Sequence, residues 1–125
     1  MNTPVSFEIA KLLKEKGFDL PCNNYTSQRD GDYFSNEKQT ISYKNYNEIT
    51  NIYSRPTIAE VVMWLYEKHG IWISVDIILN LYFKYNINKS DGSYIEDLSP
   101  YIVERFKNPT EAYSQAVEYV LKNLI

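Results

Sequence analysis

The stretch PTIAEVVMWLYEKHGIWISVDI, residues 56–77, changes its hydrophobic period at Gly70. Before the glycine, apolar residues recur every three to four positions, which predicts a helix from about Thr57 to Lys68. Thr57 and Glu60 have the spacing of a capping box, and Gly70 is suited to end the helix. The predicted face of this helix consists of Ile58, Val61, Val62, Leu65 and His69, with Met63 and Trp64 toward the other side.

After Gly70 the apolar residues alternate with polar ones, which is the period of a half-buried strand. The predicted inward residues of two successive strands are Ile71, Ile73, Val75 and Ile77, then Leu81, Phe83, Tyr85 and Ile87. Asp91 and Gly92 indicate a turn after the second strand. Residues 94–106 fit a third strand, while Ser99 and Pro100 leave a short helix open as the alternative.

Two further helices flank this central region. One is predicted from Pro4 to Lys16, with Thr3 as its cap and Gly17 as its left-handed terminator. The other is predicted from Pro109 to Leu124, capped by Asn108 and with Glu111 in its first turn. The apolar face of the last helix should comprise Ala112, Tyr113, Ala116, Val117, Val120, Leu121 and Leu124.

The region from Pro21 to Arg55 is polar and rich in Tyr and Asn. Asp30 and Gly31 predict a short hairpin there, and the rest is predicted to be a long loop. The expected fold is α+β: a small antiparallel sheet of three or more strands against two or three helices, with a helix–strand–strand–strand–helix C-terminal portion. The 125 residues should form a single domain, divided into a helix (1–18), a polar loop or hairpin region (19–55) and a helix–sheet–helix core (56–125).

Charge and cysteine content restrict the function classes. A net charge of −3 and a pI near 5.1, with scattered cations, argue against nucleic acid and anionic membranes as partners. Cys22 is the only cysteine, so the chain forms no internal disulfide and fits a reducing compartment. Because we find no signal-peptide pattern and no apolar stretch of about 20 residues, we expect a cytoplasmic protein.

No arrangement of reactive residues in the sequence indicates catalysis. His69 is the single histidine and ends the second helix, and Cys22 lacks the surrounding residues typical of a nucleophile. The four glycines are isolated, so no phosphate-binding loop can be assembled. Glu60 with Glu67, and Glu96 with Asp97, are better explained as solvated surface than as acid–base pairs. We therefore predict no catalytic, cofactor-binding or metal-binding residues and a non-enzymatic protein.

Three blocks resemble a family of small uncharacterised proteins encoded by phages, prophages and mobile elements of anaerobic gut bacteria. The blocks are residues 56–73, PTIAEVVMWLYEKHGIWI, residues 4–18, PVSFEIAKLLKEKGF, and residues 109–113, PTEAY. The polar region after Cys22 and the strands after Asp76 match this family poorly. The resemblance implies the cytoplasm of a bacterial host and an accessory role, and it carries no activity, cofactor or catalytic residue.

These observations favour protein–protein interaction, with an unknown protein or by self-association. The predicted contact surface consists of Tyr25, Tyr33, Tyr43, Tyr46 and Tyr53, which offer aromatic anchors among adaptable amides. The alternative is a nucleic-acid-binding module, because the predicted C-terminal order resembles that of double-stranded-RNA-binding domains. Lys107 and Glu111 stand where that family has a basic cluster, which weakens this alternative. An enzyme with a carboxylate-only site is a third and weaker hypothesis.

Overall fold

The computed structural model describes residues 3–29, 32–35, 43–92 and 106–125. Within these ranges the chain is α+β, with three α-helices and small antiparallel sheets. It divides into two compact units, residues 2–57 and residues 58–125. That the two units form one domain stays a prediction.

The unit of residues 2–57 combines one helix with a small sheet. Helix α1 spans Phe7–Glu15, and the strands are β1 (Tyr25–Arg29), β2 (Asp32–Ser35) and β3 (Ile52–Ser54). A 3₁₀ helix, Tyr46–Glu48, precedes β3. The strands are antiparallel in the order β2–β1–β3, and Arg29 pairs with Asp32, so the hairpin predicted around residues 30 and 31 is confirmed.

Helix α1 begins later than predicted. Its cap is Ser6, whose side chain accepts a hydrogen bond from the Ile9 N–H at 3.2 Å. Pro4 instead forms an antiparallel bridge with Thr57, and the Val5 N–H donates to the Pro56 carbonyl at 2.9 Å. The predicted cap Thr3 and the predicted start at Pro4 are therefore wrong, because Pro4 and Val5 pair with a distant segment instead of starting the helix.

The end of α1 is as predicted. Gly17 has a φ of +85°, and its N–H donates to the Lys14 carbonyl at 3.2 Å. The Phe18 N–H donates to the Leu13 carbonyl at 2.9 Å, which completes a Schellman motif. Phe18 is 1% exposed, so this motif also turns a large ring into the core of the unit.

Much of the predicted long loop is ordered by polar side chains. The Asn47 amide donates to the Phe18 carbonyl and accepts from the Ser54 N–H, each at 2.9 Å. The Ser54 hydroxyl in turn accepts from the Tyr46 N–H at 3.0 Å. The prediction of a loop for residues 43–55 is therefore wrong where the 3₁₀ helix and β3 occur.

The unit of residues 58–125 contains the remaining elements. These are α2 (Ile58–His69), β4 (Ile71–Ile78), β5 (Tyr82–Lys89) and α3 (Pro109–Asn123). All four lie within two residues of their predicted bounds. The Asn108 side chain caps α3 by accepting from the Glu111 N–H at 2.9 Å, as expected.

Helix α3 packs against both strands and against α2. Its two predicted alanines are fully buried and let the helix approach the sheet closely. The buried side chains of this unit are Ile58, Val61, Val62, Trp64, Leu65, Ile71, Ile73, Ile87, Ala112, Ala116, Val117, Val120 and Leu121. His69, predicted on the apolar face of α2, is exposed, and Tyr113 and Leu124 are only half-buried.

The sheet between α2 and α3 has two strands in the described residues, not the three that we predicted. Strands β4 and β5 are antiparallel, in register from Ile71 opposite Lys89 to Ile78 opposite Tyr82. The predicted third strand falls on residues 94–106, of which only Phe106 is described. Phe106 pairs with Phe83 in an isolated bridge. The choice between strand and helix for residues 99–105, and the pair Glu96 and Asp97, lie outside the described residues.

Within the described ranges, no helix has both the length and the apolar character needed to span a membrane.

Candidate interaction surface

The five tyrosines of the predicted contact surface lie in different environments. Tyr43 is 64% exposed, Tyr25 and Tyr53 are half-buried, and Tyr46 is only 4% exposed. The side chain of Tyr33 lies outside the described residues. Tyr46 therefore belongs to the core of its unit rather than to a contact surface.

Two of these tyrosines pack against each other. The rings of Tyr25 and Tyr46 are 4.7 Å apart between centroids, and the Lys44 ammonium lies 5.2 Å from the centroid of Tyr46. This arrangement joins β1 to the 3₁₀ helix. It gives both rings a structural role within residues 2–57.

Tyr53 is held by groups from α1. Its ring meets Phe7 edge to face at 5.4 Å, and the Lys14 ammonium lies 4.9 Å from its centroid. The same ammonium donates to the carbonyls of Ile49 and Ile52, both at 2.8 Å. Partial burial lowers the pKa of Lys14 from its ordinary value. Lys14 thus links α1 to the turn before β3 through these hydrogen bonds, and the Tyr53 ring packs against the same ammonium.

Large exposed apolar side chains are concentrated instead between residues 63 and 81. A soluble protein normally scatters such side chains singly. Here they form two groups. The aromatic surface consists of Met63, Tyr66 and Trp72, and the hairpin tip consists of Ile77, Leu79 and Leu81.

The aromatic surface is built where α2 joins β4. Met63 and Tyr66 are one turn apart on α2, so their side chains are neighbours. Trp72 follows the turn at Gly70, and its ring meets Tyr66 edge to face at 5.4 Å. The exposed fractions are 45% for Met63, 48% for Tyr66 and 41% for Trp72.

Strand alternation explains why Trp72 points outward. Ile71 and Ile73 are 3% and 1% exposed, so the residue between them must project from the opposite face of β4. The alternation that identifies the core residues of β4 also places Trp72 on the outward face, although Trp72 was not among the predicted surface residues. Trp64, which the sequence placed beside Met63, is buried at 2% exposure and contacts the His69 ring at 4.8 Å.

The hairpin tip has an unusual backbone. Leu79 and Asn80 have φ values of +52° and +57°, and the Leu81 N–H donates to the Ile78 carbonyl at 3.0 Å. Leucine is disfavoured at positive φ, where Asn and Gly are usual. Leu79 is nevertheless 78% exposed, so burial of its side chain does not compensate for the strain.

His69 lines an open cleft of about 540 Å³ at the start of β4. The other lining residues are Gly70, Ile71, Lys89, Ser90, Asp91, Leu124 and Ile125. Partial burial, and to a lesser extent the Lys68 ammonium, lower the pKa of His69 below its ordinary 6.5. These effects favour the neutral imidazole, and the carboxyl group of Asp91 lines the same cleft.

The remaining candidate residues form no reactive group that the structure describes. Cys22 is 1% exposed, and its thiol donates to the Asn24 carbonyl at 3.2 Å. Glu60 and Glu67 lie on α2, half-buried and exposed, respectively. In the described part of the chain, no three His, Cys, Asp or Glu side chains are placed to hold a metal ion.

Comparisons with protein-family models, with curated proteins and with solved structures found no match to this chain.

Proposed function

We propose that this protein is a non-enzymatic accessory protein that binds another protein through the aromatic surface of Met63, Tyr66 and Trp72. The observation that carries the proposal is the exposed contact between the Tyr66 and Trp72 rings. Tryptophan and tyrosine are enriched among the residues that dominate binding energy at protein interfaces, because they bury a large area at a low cost in side-chain entropy. The setting suggested by the family resemblance is the cytoplasm of a bacterial host.

The chemistry of the surface favours a particular kind of partner. Met63 offers a flexible thioether beside two rigid rings, a combination that accepts apolar side chains of varied shape. Glu67 is exposed next to Tyr66, and the whole chain carries a net charge of −3. The complementary partner is a protein with an apolar anchor bordered by Lys or Arg.

The test compares matched variants of the full chain. Proteins retained from a bacterial lysate by the immobilised wild type are identified, and each is then purified and titrated. We expect Trp72→Ala to weaken binding of the true partner roughly 30-fold or more, as for a residue that dominates binding at an interface. Tyr43→Ala is the matched control, because Tyr43 is equally aromatic and 64% exposed but lies outside the aromatic surface.

Three results would contradict the proposal. The first is that Trp72→Ala and Tyr66→Ala leave the affinity for every purified candidate unchanged. The second is a loss of binding with Tyr43→Ala alone, which would favour the tyrosine surface predicted from the sequence. The third is tight binding of labelled single-stranded DNA or duplex RNA at ~50 mM salt that Trp72→Ala abolishes, which would favour nucleic-acid binding.

A further inference from the structure

One edge of β4 carries backbone groups that point away from β5. The Phe83 N–H and C=O are both bonded to Phe106, at 2.9 and 3.0 Å, so they face away from β4. Ile77 lies opposite Phe83 in the β4–β5 register and is therefore a non-hydrogen-bonded position. Because hydrogen-bonded and non-hydrogen-bonded positions alternate, the outward-facing backbone groups of β4 belong to Ile71, Ile73, Val75 and Ile77.

A second contact supports this assignment. The Ser90 N–H donates to the Gly70 carbonyl at 2.7 Å, so the even-numbered positions are those that bond across to β5. Among the residues that the structure describes, none donates to or accepts from the outward N–H and C=O groups of the four odd-numbered positions. Within the described part of the chain, this edge of β4 is therefore open.

Natural proteins usually protect an open strand edge. They place Lys or Pro on it, shorten it or interrupt it with a bulge. Strand β4 is eight residues long, IWISVDII, and pairs with β5 without a break. It contains no Pro, no Gly and no Lys, and its single charge is Asp76. A strand of this composition strongly favours pairing with another strand.

We propose that β4 pairs antiparallel with β4 of a second copy of this chain, around a two-fold axis at Val75. In this register each Ile73 lies opposite Ile77 of the second copy. In this register the outward N–H and C=O groups of Ile73, Val75 and Ile77 lie opposite outward C=O and N–H groups of the second copy. All of these donors and acceptors are then satisfied. The product is one continuous four-stranded sheet across the dimer.

The burial pattern favours a second copy of this chain over an unrelated peptide as the partner of the β4 edge. Ile77 is 53% exposed although it shares a strand face with Ile71 and Ile73, which are buried. Pairing with the second copy places Ile77 beside the buried row of the other strand. The apolar face that ends at Val75 within one copy is thereby continued in the next.

Charge is compatible with the same register. Asp76 lies opposite Lys84 within its own hairpin and accepts a hydrogen bond from the Asn86 amide. Across the proposed two-fold axis it faces Ser74 of the second copy rather than another carboxylate. The dimer therefore brings no like charges into direct opposition, and it does not depend on the binding partner proposed above.

The first experiment measures the mass of the full chain by sedimentation velocity over a range of concentrations. We expect a monomer–dimer equilibrium in the wild type and a monomer at all concentrations in Ile77→Lys. Leu81→Lys is the matched control: Leu81 is 66% exposed but lies beyond the turn, off the β4 edge, and its variant should dimerise like the wild type. A wild type that stays monomeric, or equal dimerisation in Ile77→Lys, overturns the proposal.

The second experiment tests the register in a Cys22→Ser background. Residues opposite each other in a hydrogen-bonded antiparallel pair have Cα atoms about 5.5 Å apart, within the range that a disulfide spans. Val75→Cys should therefore form a covalent dimer under mild oxidation, whereas Ile77→Cys, which faces Ile73, should not. Cross-linking through position 77 in preference to 75 overturns the proposed axis. If the dimer forms but no partner binds in a Trp72-dependent manner, the proposed function is rejected and the proposed dimer is not.

Discussion

His69 is the only histidine in the chain, so its titration can be followed directly by NMR of the imidazole Cε1–H. Desolvation and the Lys68 ammonium both disfavour the imidazolium, so we expect a midpoint below 6.5. The unfolded chain then binds a proton at a higher pH than the folded one. The free energy of unfolding should accordingly decrease as the pH falls from about 7 to below the folded-state pKa.

Single charge changes separate the causes of this shift. Lys68→Gln should raise the midpoint of His69 toward 6.5, because it removes the repulsion and leaves the desolvation. Lys84 lies opposite Asp76 in the distal part of the hairpin, so Lys84→Gln should leave the midpoint of His69 unchanged. A wild-type midpoint at or above 6.5 would mean that the carbonyls at the end of α2 outweigh both effects.

The long-range contacts of polar residues could not be predicted from the sequence. Asn47 and Lys14 organise residues 43–55 through hydrogen bonds to backbone groups far away in sequence. An asparagine that binds distant backbone and one that is solvated in a loop have the same local sequence context. The position of Tyr46 was predicted wrongly for a related reason, since its ring can face the core or solvent without any change in the sequence pattern.

Among the secondary-structure elements, those with local start and stop signals were predicted well. Asn108 for α3, and Gly17 and Gly70 for the ends of α1 and α2, function where the sequence placed them. The start of α1 was wrong because a distant pairing of Pro4 with Thr57 overrides the local signal. The aromatic surface was predictable in principle, because Trp72 is out of phase with Ile71 and Ile73.

The turn between β4 and β5 gives a prediction about one element. Leu79 adopts a φ of +52° with 78% of its surface exposed, so the residue has strain and little burial to offset it. Leu79→Asn should stabilise the protein by about 1 kcal/mol, because Asn tolerates the left-handed region. Chemical denaturation at a concentration where the chain is monomeric measures this effect.

Leu81 supplies the control for that substitution. It is 66% exposed and is not among the described residues with positive φ. Leu81→Asn should therefore change the free energy of unfolding by less than about 0.5 kcal/mol. Equal effects of the two substitutions would show that lost apolar contact, rather than backbone strain, controls the stability of this turn.

For the whole molecule, the question is whether residues 2–57 and 58–125 unfold together. Each unit has fewer than 70 residues, a size at which a domain alone is marginally stable. The boundary has no linker, since Thr57 pairs with Pro4 and Ile58 already begins α2. We therefore predict one cooperative transition, as expected for the single domain inferred from the sequence.

Asn47→Ala tests this prediction, because both tryptophans lie in residues 58–125 and report on that unit alone. Loss of two hydrogen bonds from Asn47 should cost about 2 kcal/mol. If unfolding is cooperative, the thermal midpoints from far-ultraviolet circular dichroism and from tryptophan emission decrease equally. Asn123→Ala, which removes one exposed hydrogen bond in α3, should leave both nearly unchanged. A lower dichroism midpoint with an unchanged emission midpoint would mean that the two units unfold separately, because damage confined to the first would then not reach the second.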